Sequence, residues 1–443
     1  MRILAIGGGG REHAIVEALA RSEHDIYACM GNSNPGSARR AKEFLLVNEK
    51  DVAKVVEYAV AKGIELAVVG PEAPLEVGIA DALETAGIPT ASPTKAAARI
   101  ETSKSFAREL MLRRKIEGRT KFVVATDMDQ VRSAVDDLGE DVVVKPSGLT
   151  GGKGVKVYGE HLMSREDIIG YATDILDRRI GGRAQLVIEE KLIGEEFTLQ
   201  AFCDGETLVP MPAVQDHKRA FEGDAGPNTG GMGSYSQSGG LLPFLSSDDY
   251  DASVGIMRGV IEALRAEGSE YKGVLYGQFM LTREGPKVVE FNARLGDPEA
   301  MNVLTILDAD FAAVCERMAG GNLAGMDVSF ASMSTVCKYV VPEGYGTKPL
   351  AGEEIRIDET AIANEGAVLY YANVNADEGR VLTTTSRSAG IVGVAKEIAD
   401  AERIAESAIQ HVSGRIAVRH DIGKQAMLES RVQHMKEVRG GSR

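Results

Sequence analysis

The first hundred residues alternate between short continuous apolar runs and segments whose apolar residues recur at helical spacing. The runs have the length and composition of buried strands and cover 2–6, 25–30 and 66–69. The helical segments cover 13–20, 52–62 and 77–86. Four glycines join the first run to the first helical segment, and a strand, a glycine turn and a helix begin a doubly wound α/β unit. The pattern predicts a Rossmann-like domain over 1–101.

A second series of helices and strands follows up to about residue 325. Helices are predicted at 102–114, 129–138, 165–178 and 249–267. Strands are predicted at 122–125, 142–145, 154–157, 186–189, 197–203, 207–215, 275–282 and 286–292. We therefore expect a second domain over 102–325, within which 121–190 forms a compact α/β segment of its own.

After residue 325 the pattern changes to short strands with little helix between them. These strands are predicted at 334–341, 352–357, 367–375 and 390–395, and one helix is predicted at 400–416. The pattern predicts a small C-terminal α+β domain over 326–443. Chain ends are often poorly ordered, so we expect disorder over 439–443.

The composition excludes several classes of partner. The 443 residues carry 50 basic and 65 acidic side chains, a net charge of −15, which disfavours nucleic acids and anionic membranes. No apolar run approaches the ~18 residues that a membrane-spanning helix needs, and the first residues lack a signal-peptide pattern. We therefore expect a soluble, cytoplasmic protein that binds small molecules. Buried free thiols, not metal ligands, are expected because no CxxC pair occurs: Cys29, Cys203, Cys315 and Cys337.

The first glycine cluster, at 7–10, is followed by Arg11, Glu12 and His13. The G-x-G-x-x-G spacing of dinucleotide sites fails, because Glu12 and His13 stand where the third glycine is required. The loop still brings backbone N–H groups to a helix N-terminus, which suits a single phosphate. A tight strand–helix turn explains the cluster equally well, and the residues alone leave both interpretations open.

A more specific pattern is an apolar strand that ends at Lys145 and leads into the glycine-rich loop 147–155. No G-K-[ST] sequence opens a helix here, so this is not a P-loop. The pattern predicts a flexible flap between two strands, whose backbone amides cover the β- and γ-phosphates of ATP. Lys145 would then lie beside the nucleotide. A glycine hairpin without a ligand is the alternative.

A candidate hinge occupies 187–196, with the sequence VIEEKLIGEE. An apolar strand runs into two acidic residues, a leucine and a second acidic pair, an order similar to an adenine-binding hinge. Backbone groups near Glu189 and Leu192 are expected to bind the adenine edge, and Glu196 the ribose hydroxyls. Acidic residues are common on protein surfaces, so this segment alone is a weak indication.

The strongest pattern is Glu290-x-Asn292-x-Arg294 at the end of an apolar strand. Side chains alternate along a strand, so these three residues share one face while Phe291 and Ala293 point the other way. A polar face of this kind is unfavourable to bury unless it binds a ligand. Carboxylate and amide oxygens suit Mg²⁺, and an arginine can pair bidentately with a carboxylate or phosphoryl group.

In this order, the lysine strand with its flap, the hinge and the Glu-x-Asn-x-Arg face resemble the ATP-grasp superfamily. Five further segments narrow the resemblance: GGGGREH (7–13), GPEAPL (70–75), QDHKR (215–219), GPNTGGMG (226–233) and GDPE (296–299). Together they resemble the phosphoribosylamine–glycine ligase family over 1 to about 423. The resemblance implies an α/β protein with the ATP-grasp fold, an N-terminal Rossmann-like domain, a mobile ATP-lid subdomain over about 121–190 and a small C-terminal α+β domain.

The family's reaction joins glycine to 5-phosphoribosylamine in purine biosynthesis, through glycyl phosphate and with release of ADP and phosphate. The resemblance therefore implies ATP as co-substrate, Mg²⁺ or Mn²⁺ as cofactor, no covalent protein nucleophile, and no nucleic-acid or membrane partner. A monomer or weak homodimer is expected. The residues leave three alternatives open: an ATP-grasp ligase for another acid or amine, a nicotinamide-dependent oxidoreductase, and a nucleotide sensor without catalysis.

The resemblance also assigns roles to individual residues. The expected nucleotide-binding residues are Lys104, Lys145, Gly151, Gly152, Lys153, Gly154, Glu189, Lys191, Leu192 and Glu196. The expected substrate-binding residues are Gly9, Gly10, Arg11, Glu72, Asn228, Thr229, Gly230, Asp297 and Pro298. The expected metal ligands are Gln278, Glu290 and Asn292, and the expected catalytic residues are Asp216, Lys218 and Arg294.

Three positions depart from the family pattern. Leu295 replaces the usual phenylalanine, which is a conservative change. Gln278 stands where many ATP-grasp enzymes have a carboxylate, and an uncharged amide weakens the case for a second metal ion there. The stretch 384–393 matches the family only loosely, which leaves its contribution to the nucleotide site open.

Overall fold

The N-terminal part of the chain is a parallel sheet covered by helices. The structure, a computed structural model, describes residues 1–151 and 154–440. The first four strands are β1 (Arg2–Ile6), β2 (Asp25–Met30), β3 (Glu43–Leu46) and β4 (Leu66–Val69). They form one parallel sheet in the order β3-β2-β1-β4, which confirms the predicted Rossmann-like arrangement. The accompanying helices are α1 (Gly10–Leu19), α2 (Pro35–Arg40), α3 (Val52–Lys62), α4 (Glu72–Glu76) and α5 (Ile79–Thr85).

The helix predicted over 77–86 begins later, at Ile79. Gly78 has a φ of +89°, in the left-handed region that a right-handed helix does not contain. This glycine separates α4 from α5 and turns the chain between them. The two other helices predicted in this domain, 13–20 and 52–62, end within a few residues of α1 and α3, whereas α2 and α4 were not predicted.

The segment 121–190, called the lid below, forms a separate small sheet with two helices. Two helices lead into it, α6 (Arg99–Thr102) and α7 (Lys104–Arg113). Its elements are β5 (Phe122–Ala125), α8 (Met128–Leu138), β6 (Val142–Pro146), β7 (Lys156–Val157), α9 (Arg165–Arg178) and β8 (Leu186–Glu190). The four strands pair antiparallel in the order β5-β8-β6-β7 and enclose their own cluster of buried apolar side chains. An independent core is the feature that lets a subdomain move as a unit.

The remaining chain is dominated by strands. In chain order these are β9 (Glu195–Asp204), β10 (Leu208–Pro210), β11 (Val214–Asp216), β12 (Arg219–Phe221), β13 (Ala225–Asn228), β14 (Gly233–Ser236), β15 (Lys272–Thr282), β16 (Gly285–Asn292), β17 (Leu307–Asp308), β18 (Ser329–Phe330), β19 (Ser334–Pro342), β20 (Glu354–Ile357), β21 (Val368–Tyr371), β22 (Val374–Asp377), β23 (Arg380–Thr383), β24 (Ala389–Ala395), β25 (Val412–Ser413) and β26 (Ile416–Val418). The helices are α10 (Ser247–Ala266), α11 (Glu299–Thr305), α12 (Phe311–Gly320), α13 (Glu359–Asn364), α14 (Ile398–Ile409) and α15 (Gln425–Gly440).

One large sheet crosses the predicted boundary between the second and third domains. Its order is β16-β15-β9-β11-β14-β19-β24-β21. Two further strands lie outside this order: β10 pairs with β9, and β26 pairs with β19. The crossing occurs where β14 pairs antiparallel with β19, for example Ser234 with Cys337. The C-terminal strands therefore extend the sheet that forms the floor of the second domain. The boundaries at 101 and 325 stay predictions.

Three predicted elements are corrected by the structure. The strand predicted over 207–215 is two strands, β10 and β11, because Pro210 and Pro212 lack the N–H that a continuous ladder needs. The strand predicted over 367–375 is also divided, into β21 and β22. The helix predicted over 400–416 ends at Ile409, because Val412 and Ser413 pair with β20.

Helix α15 was not predicted, and the expected disorder over 439–443 is wrong for residues 439 and 440, while 441–443 lie outside the described residues. Arg439 lies in α15 and donates to Asp249 Oδ1 at 2.6 Å. The helix buries Leu428 and Met435, seven residues apart, on the core formed by α10, β9 and β15. Two turns of helix separate these residues, so the sequence did carry a helical signal here.

The four cysteines are free and buried, as predicted. Burial raises the pKa of the Cys29 and Cys203 thiols to about 12, so both stay protonated near neutral pH. Within residues 1–151 and 154–440, no helix combines the length and the apolar character that crossing a bilayer requires.

Candidate active site

A cavity of about 1000 Å³ lies between the lid, the large sheet and the segment that follows β11. Most of the residues singled out from the sequence line it: Arg11, Glu72, Lys104, Lys145, Gly151, Glu189, Glu196, Asp216, Lys218, Asn228, Thr229, Gly230, Gln278, Glu290, Asn292, Arg294 and Asp297. Gly9 and Gly10 line a second cavity instead. Four other residues that were predicted to bind nucleotide or substrate do not line the first cavity: Gly154, Lys191, Leu192 and Pro298.

Lys145, at the end of β6, lies in a buried ionic network in the cavity wall. Its Nζ is 2.7 Å from Oε2 of Glu189 and 3.2 Å from the carbonyl oxygen of Val289. Arg108, in α7, donates to both carboxylate oxygens of Glu189 at 2.7 and 2.9 Å. Burial favours the neutral acid, but Arg108 and Lys145 outweigh it and lower the pKa of Glu189 to about 2. The Glu189 side chain is thus paired within the protein, and Arg108 is a cavity residue that no sequence motif indicated.

The predicted hinge joins β8 to β9, and its two ends face different ways. Glu196 faces the cavity, where its Oε2 accepts from Lys218 Nζ at 3.3 Å and from Gln278 Nε2. Lys191 turns toward the lid, where its Nζ donates to the carbonyl oxygen of Tyr158 at 2.9 Å. A ribose hydroxyl that binds Glu196 would therefore share this carboxylate with Lys218.

Lys104 meets the described part of the flap. Its Nζ lies 3.4 Å from the carbonyl oxygen of Gly148, and its backbone N–H donates to the Ser147 carbonyl at 2.8 Å. At the other end of the flap, the Tyr171 hydroxyl donates to the Gly154 carbonyl at 2.8 Å. Gly152 and Lys153, which were predicted to contact the phosphates, lie outside the described residues.

We expect bound nucleotide to protect the flap from proteolysis. Residues 147–154 contain four glycines, so the loop has little conformational preference without a ligand. Trypsin should cleave after Lys153 roughly tenfold more slowly with Mg-ATP than without it, because cleavage follows the open population. Fragment masses over a digestion time course measure this rate. Cleavage after Arg380, which is exposed at the start of β23, is the control. Equal rates at Lys153 in both conditions would contradict a lid role.

Two facing strands bring the predicted metal ligands together. Glu290 on β16 stands opposite Gln278 on β15, and Asn292 follows two residues along β16. Oε1 of Gln278 is buried and has no hydrogen-bond partner among the described residues. A carboxylate and two amide side chains, one with an unpartnered oxygen, provide the hard oxygen donors that Mg²⁺ binds, so these residues fit one divalent cation.

The charge state of Glu290 supports this fit. Burial favours the neutral acid, but Lys104, Lys218, Lys145 and Arg294 surround the carboxylate and lower the pKa of Glu290. The side chain is therefore ionised near neutral pH. The same cations make this part of the cavity suitable for the phosphates of a nucleotide.

Arg294 lies beyond the strand, which corrects the prediction that it shares the alternating face of Glu290 and Asn292. Strand β16 ends at Asn292, because the next N–H, that of Ala293, donates to Glu101 Oε2 at 2.7 Å. Arg294 still reaches the cavity, with Nε 3.3 Å from Glu72 Oε2 and Nη2 3.0 Å from Glu101 Oε1. Burial raises the pKa of Glu101 to about 7, against the opposing attraction of Arg294.

Two acidic groups in the cavity lack full neutralisation. Burial raises the pKa of Asp216 to about 7, with Lys218 opposing the rise and Glu299 and Glu196 adding to it. Oδ1 of Asp216 has no hydrogen-bond partner among the residues that the structure describes. Glu299 is buried, accepts from the Tyr276 hydroxyl at 2.8 Å, and has a pKa that burial also raises. The arrangement would be stabilised by a further cation.

Arg387, from the stretch that the sequence left open, closes the cavity on its C-terminal side. It donates to the carbonyl oxygens of Gly230 at 2.7 Å and Asp297 at 2.8 Å, and it pairs with the Asp297 carboxylate at 3.0 Å. Its guanidinium lies 4.5 Å from the ring centroid of Tyr339. Arg387 therefore joins two segments that were predicted to bind substrates, and it was missed because that part of the chain matched no motif closely.

The second cavity, of about 410 Å³, adjoins the first. The two cavities share four lining residues: Arg11, Glu72, Asp297 and Arg387. Gly9 and Gly10 line the second cavity at the start of α1, but the Gly9 N–H already donates to Glu12 Oε2 at 2.8 Å. Arg11 donates to Oε1 of the same Glu12 at 2.6 Å. A phosphate at this loop would therefore compete with Glu12.

Three family models match successive parts of the chain. The phosphoribosylglycinamide synthetase N domain matches residues 1–101, the ATP-grasp (A) domain 102–300, and the C domain 335–425. The chain belongs to the phosphoribosylglycinamide synthetase family. Membership makes it an ATP-dependent ligase, which confirms the assignment made from the sequence motifs.

Relatives along the whole chain agree with this assignment. A protein named phosphoribosylamine–glycine ligase from Methanothermobacter thermautotrophicus is 51% identical over 439 residues, which cover 99% of this chain and 100% of the relative. A protein of the same name from Thermococcus gammatolerans is 49% identical, with 99% of this chain and 98% of the relative covered.

Solved structures confirm the predicted ATP-grasp fold. The crystal structure of phosphoribosylamine–glycine ligase from Thermotoga maritima has a TM-score of 0.81 at 27% identity, covering 95% of this chain and all of that one. A biotin carboxylase domain from Hydrogenobacter thermophilus, in complex with MgADP, has a TM-score of 0.73 at 16% identity and covers 100% of this chain and 95% of that one. The second similarity concerns the fold alone.

Proposed function

We propose that this protein joins glycine to 5-phosphoribosylamine with ATP, producing glycinamide ribonucleotide, ADP and phosphate. The observation that carries the proposal is the single cavity in which Lys104, Lys145, Glu290, Asn292 and Arg294 converge. Relatives of 51% identity that carry the corresponding name support it.

The chemistry requires activation of a carboxylate. An oxygen of the glycine carboxylate attacks the γ-phosphorus of ATP, the bond to the β–γ bridging oxygen breaks, and ADP leaves. The amine nitrogen of phosphoribosylamine then attacks the acyl carbon of glycyl phosphate, and phosphate leaves while the nitrogen loses a proton. No protein nucleophile is required, so the protein contributes positioning and neutralisation of charge.

The nucleotide would occupy the part of the cavity beneath the lid. Lys104 and Lys145 would contact its phosphates, and the backbone after Glu189 would contact adenine. A bound Mg²⁺ or Mn²⁺ supplies neutralisation of phosphate charge. Glu290 and Asn292, with Gln278 opposite, would hold that ion.

Glycine would bind between a cationic and an anionic part of the cavity. Arg294 presents a guanidinium to the glycine carboxylate and to the transferred phosphoryl group. Asp216 and Glu299 provide the two incompletely neutralised acidic groups, and the glycine ammonium is the cation that they lack. This assignment explains why the protein buries two acids close to one lysine, Lys218.

Phosphoribosylamine would bind across the two adjoining cavities. Arg11, which lines both cavities, would bind the phosphate together with Gly9 and Gly10 of the second cavity. Glu72, which also lines both, would lie near the ribose. The remaining expected substrate contacts come from two segments, 228–230 and 297–298, and Arg387 forms hydrogen bonds with both.

A coupled ADP-release assay tests the proposed function. Glycine and freshly prepared phosphoribosylamine are omitted in turn, and we expect ADP release to depend on both. Release with another acid or amine, and none with this pair, would favour the alternative of a different ATP-grasp ligase. Binding of ATP without any turnover would favour a nucleotide sensor.

We expect the KM for glycine to fall as the pH rises through about 7. Asp216 is protonated below its pKa of about 7 and ionised above it, and only the ionised form attracts the glycine ammonium. Asp216→Asn should remove this pH dependence and raise the KM for glycine about tenfold, on the scale of one charge-assisted hydrogen bond. Steady-state kinetics between about pH 6 and pH 8 measure both effects. The KM for ATP serves as the control, and a flat glycine profile in the unaltered protein would refute the assignment.

We also propose that the protein is cytoplasmic and is a monomer or weak homodimer. The proposed division of the chain is an N-terminal domain over 1–101, an ATP-grasp domain over 102–325 that contains the lid, and a C-terminal domain over 326–443. Sedimentation velocity over a range of protein concentrations tests the oligomeric state, and a stable higher oligomer would overturn that part.

A further inference from the structure

A short hairpin, β12–β13, carries predicted substrate-binding residues at its base. It forms its own two-stranded sheet. At its base the N–H and hydroxyl of Thr229 both donate to the carbonyl oxygen of Lys218, at 2.7 and 2.8 Å. An isolated two-stranded hairpin is only marginally stable, so contacts elsewhere must fix its position. The orientation of Lys218 and Asn228 therefore depends on what holds the hairpin.

The tip of the hairpin is held through Asp224. Its φ is +54°, a left-handed conformation that is unfavourable for a residue with a side chain. Arg419 Nη1 lies 2.9 Å from its Oδ1, and Nη2 of Arg431 donates to its Oδ2. Arg419 is only 1% exposed, so one of the two cations is almost fully buried. Two arginines thus converge on one carboxylate in the cavity wall.

Further contacts from the same C-terminal segment reinforce the tip. Asp421 Oδ2 accepts from the backbone N–H of Gly223 at 2.9 Å, and Glu222 Oε1 accepts from the N–H of His420 at 3.2 Å. Arg419 also donates to the carbonyl oxygen of Arg219 at 3.1 Å. The tip is therefore fastened by residues about 200 positions later in the chain.

Helix α15 connects the hairpin to the start of β9. Arg431 Nε lies 3.5 Å from Oε2 of Glu195, and His434 Nδ1 lies 2.6 Å from its Oε1. Glu195 precedes Glu196, the residue expected to bind the ribose. Most of α15 lies beyond residue 425, where the match to the family's C domain ends.

We propose that Asp224, Arg419 and Arg431 are positioning residues for glycine binding. They hold the hairpin so that Lys218 and Asn228 stay over the cavity, and none of the three touches the reacting atoms. The inference rests on the proposed function, because it assigns the glycine site to the hairpin side of the cavity. Apart from Glu196 on β9, the expected nucleotide contacts lie on α7, on the lid and in the hinge, away from the hairpin. This role therefore predicts a larger effect on glycine than on ATP.

Two variants test the role against a matched control on the same helix. Asp224→Asn removes the charge but keeps a side chain that tolerates the left-handed conformation. Arg431→Gln removes one of the two cations. The control, Arg439→Gln, removes the ion pair that fastens the other end of α15 to Asp249, outside the cavity. We expect both test variants to raise the KM for glycine about tenfold with kcat and the KM for ATP within about twofold, and the control to change neither KM.

Hydrogen exchange of the hairpin amides, 219–228, supplies a readout that does not depend on activity. We expect faster exchange there in both test variants and unchanged exchange in the control. The role is overturned if glycine KM and hairpin exchange stay as in the unaltered protein, or if the control shifts them equally. If the unaltered protein fails to ligate glycine, the proposed function falls, while faster hairpin exchange in the test variants alone would still show that these residues hold the hairpin.

Discussion

Replacing Arg294 by lysine is expected to lower kcat by ~10²-fold or more, the scale of losing one preorganised charge-stabilising donor. Arg294 lies in the cavity beyond the metal face, where the γ-phosphoryl group and the glycine carboxylate would meet. Bringing two anions together requires a cation with parallel donors, which a guanidinium has and an ammonium lacks. The affinity for ATP should change within about twofold, because the hinge and the two lysines are expected to determine it. Steady-state kinetics and nucleotide titration on the variant measure both quantities.

The competing explanation is that Arg294 only forms structural ion pairs, and the structure identifies its partners. Asp297 and Glu299, acidic residues that follow closely along the chain, would be the simplest partners, whereas the observed partners are Glu72 and Glu101. Removing the charge entirely would leave the buried Glu101 without its cationic partner, at a cost of about 3–5 kcal/mol, so lysine is the informative substitution. Thermal denaturation separates the explanations. A large fall in Tm with normal kcat would show a structural role.

A matched control for this variant is Arg21→Lys. Arg21, like Arg294, has two partners distant in the chain, here the backbone carbonyls of Leu304 and Leu307 at 2.7 and 3.0 Å, and it does not line the cavity. Its substitution should leave kcat unchanged and lower Tm slightly. A comparable loss of kcat in the control would mean that the effect of Arg294→Lys is not specific to the site.

Replacing Glu290 by glutamine is expected to remove most metal-supported turnover while the protein stays folded. Glu290 is the only carboxylate among the three predicted metal ligands, and the surrounding lysines keep it ionised. A neutral amide at this position weakens binding of the ion that neutralises phosphate charge. We expect a loss of ~10²-fold at limiting Mg²⁺, partly recovered as Mg²⁺ is raised. ADP release measured over a Mg²⁺ series gives both values.

Glu262→Gln is the control for the metal assignment, because Glu262 is exposed on α10 and lies outside the cavity. The same change of charge there should leave the Mg²⁺ dependence unaltered. Near-normal turnover of Glu290→Gln at limiting Mg²⁺ would remove Glu290 from the metal site. Circular dichroism of both variants checks that each remains folded.

Local elements were predictable because their causes are local. The helix over 52–62 and the helix over 165–178 have the predicted ends, and side-chain caps at Asp51 and Ser164 explain their starts. Buried strands such as β1 and β4 were also predicted residue by residue, since a short apolar run between turn residues has few alternatives.

Errors arose where a distant segment decided the outcome. The end of α14 depends on the pairing of Val412 and Ser413 with β20. The large sheet continues past residue 325 because β14 pairs with β19, about a hundred residues away in the chain. Strand pairing over such distances leaves no local pattern, so composition could show the strands but not their neighbours.

The residues of the cavity also divide into those that local motifs predicted and those that only distant contacts reveal. The motifs named the types of group that a phosphate and a metal ion require, and most of those residues do line one cavity. Arg108 and Arg387 belong to that cavity without belonging to a motif, because their roles come from contacts with Glu189 and Asp297. A single arginine in a helix or a loop has no distinguishing sequence pattern.

The sequence by itself determined the order of the elements, the family and the chemical types of the groups that are expected to bind ATP, a cation and two anions. These follow from local periodicity and from short motifs, which are properties of neighbouring residues. Only the tertiary structure decided which charges neutralise each other: Glu189 with Arg108, 81 positions away, and Arg294 with Glu72, 222 positions away. The physical reason is that the pKa and orientation of a buried charged group depend on burial and on the charges within a few ångströms of it, which chain folding alone brings together.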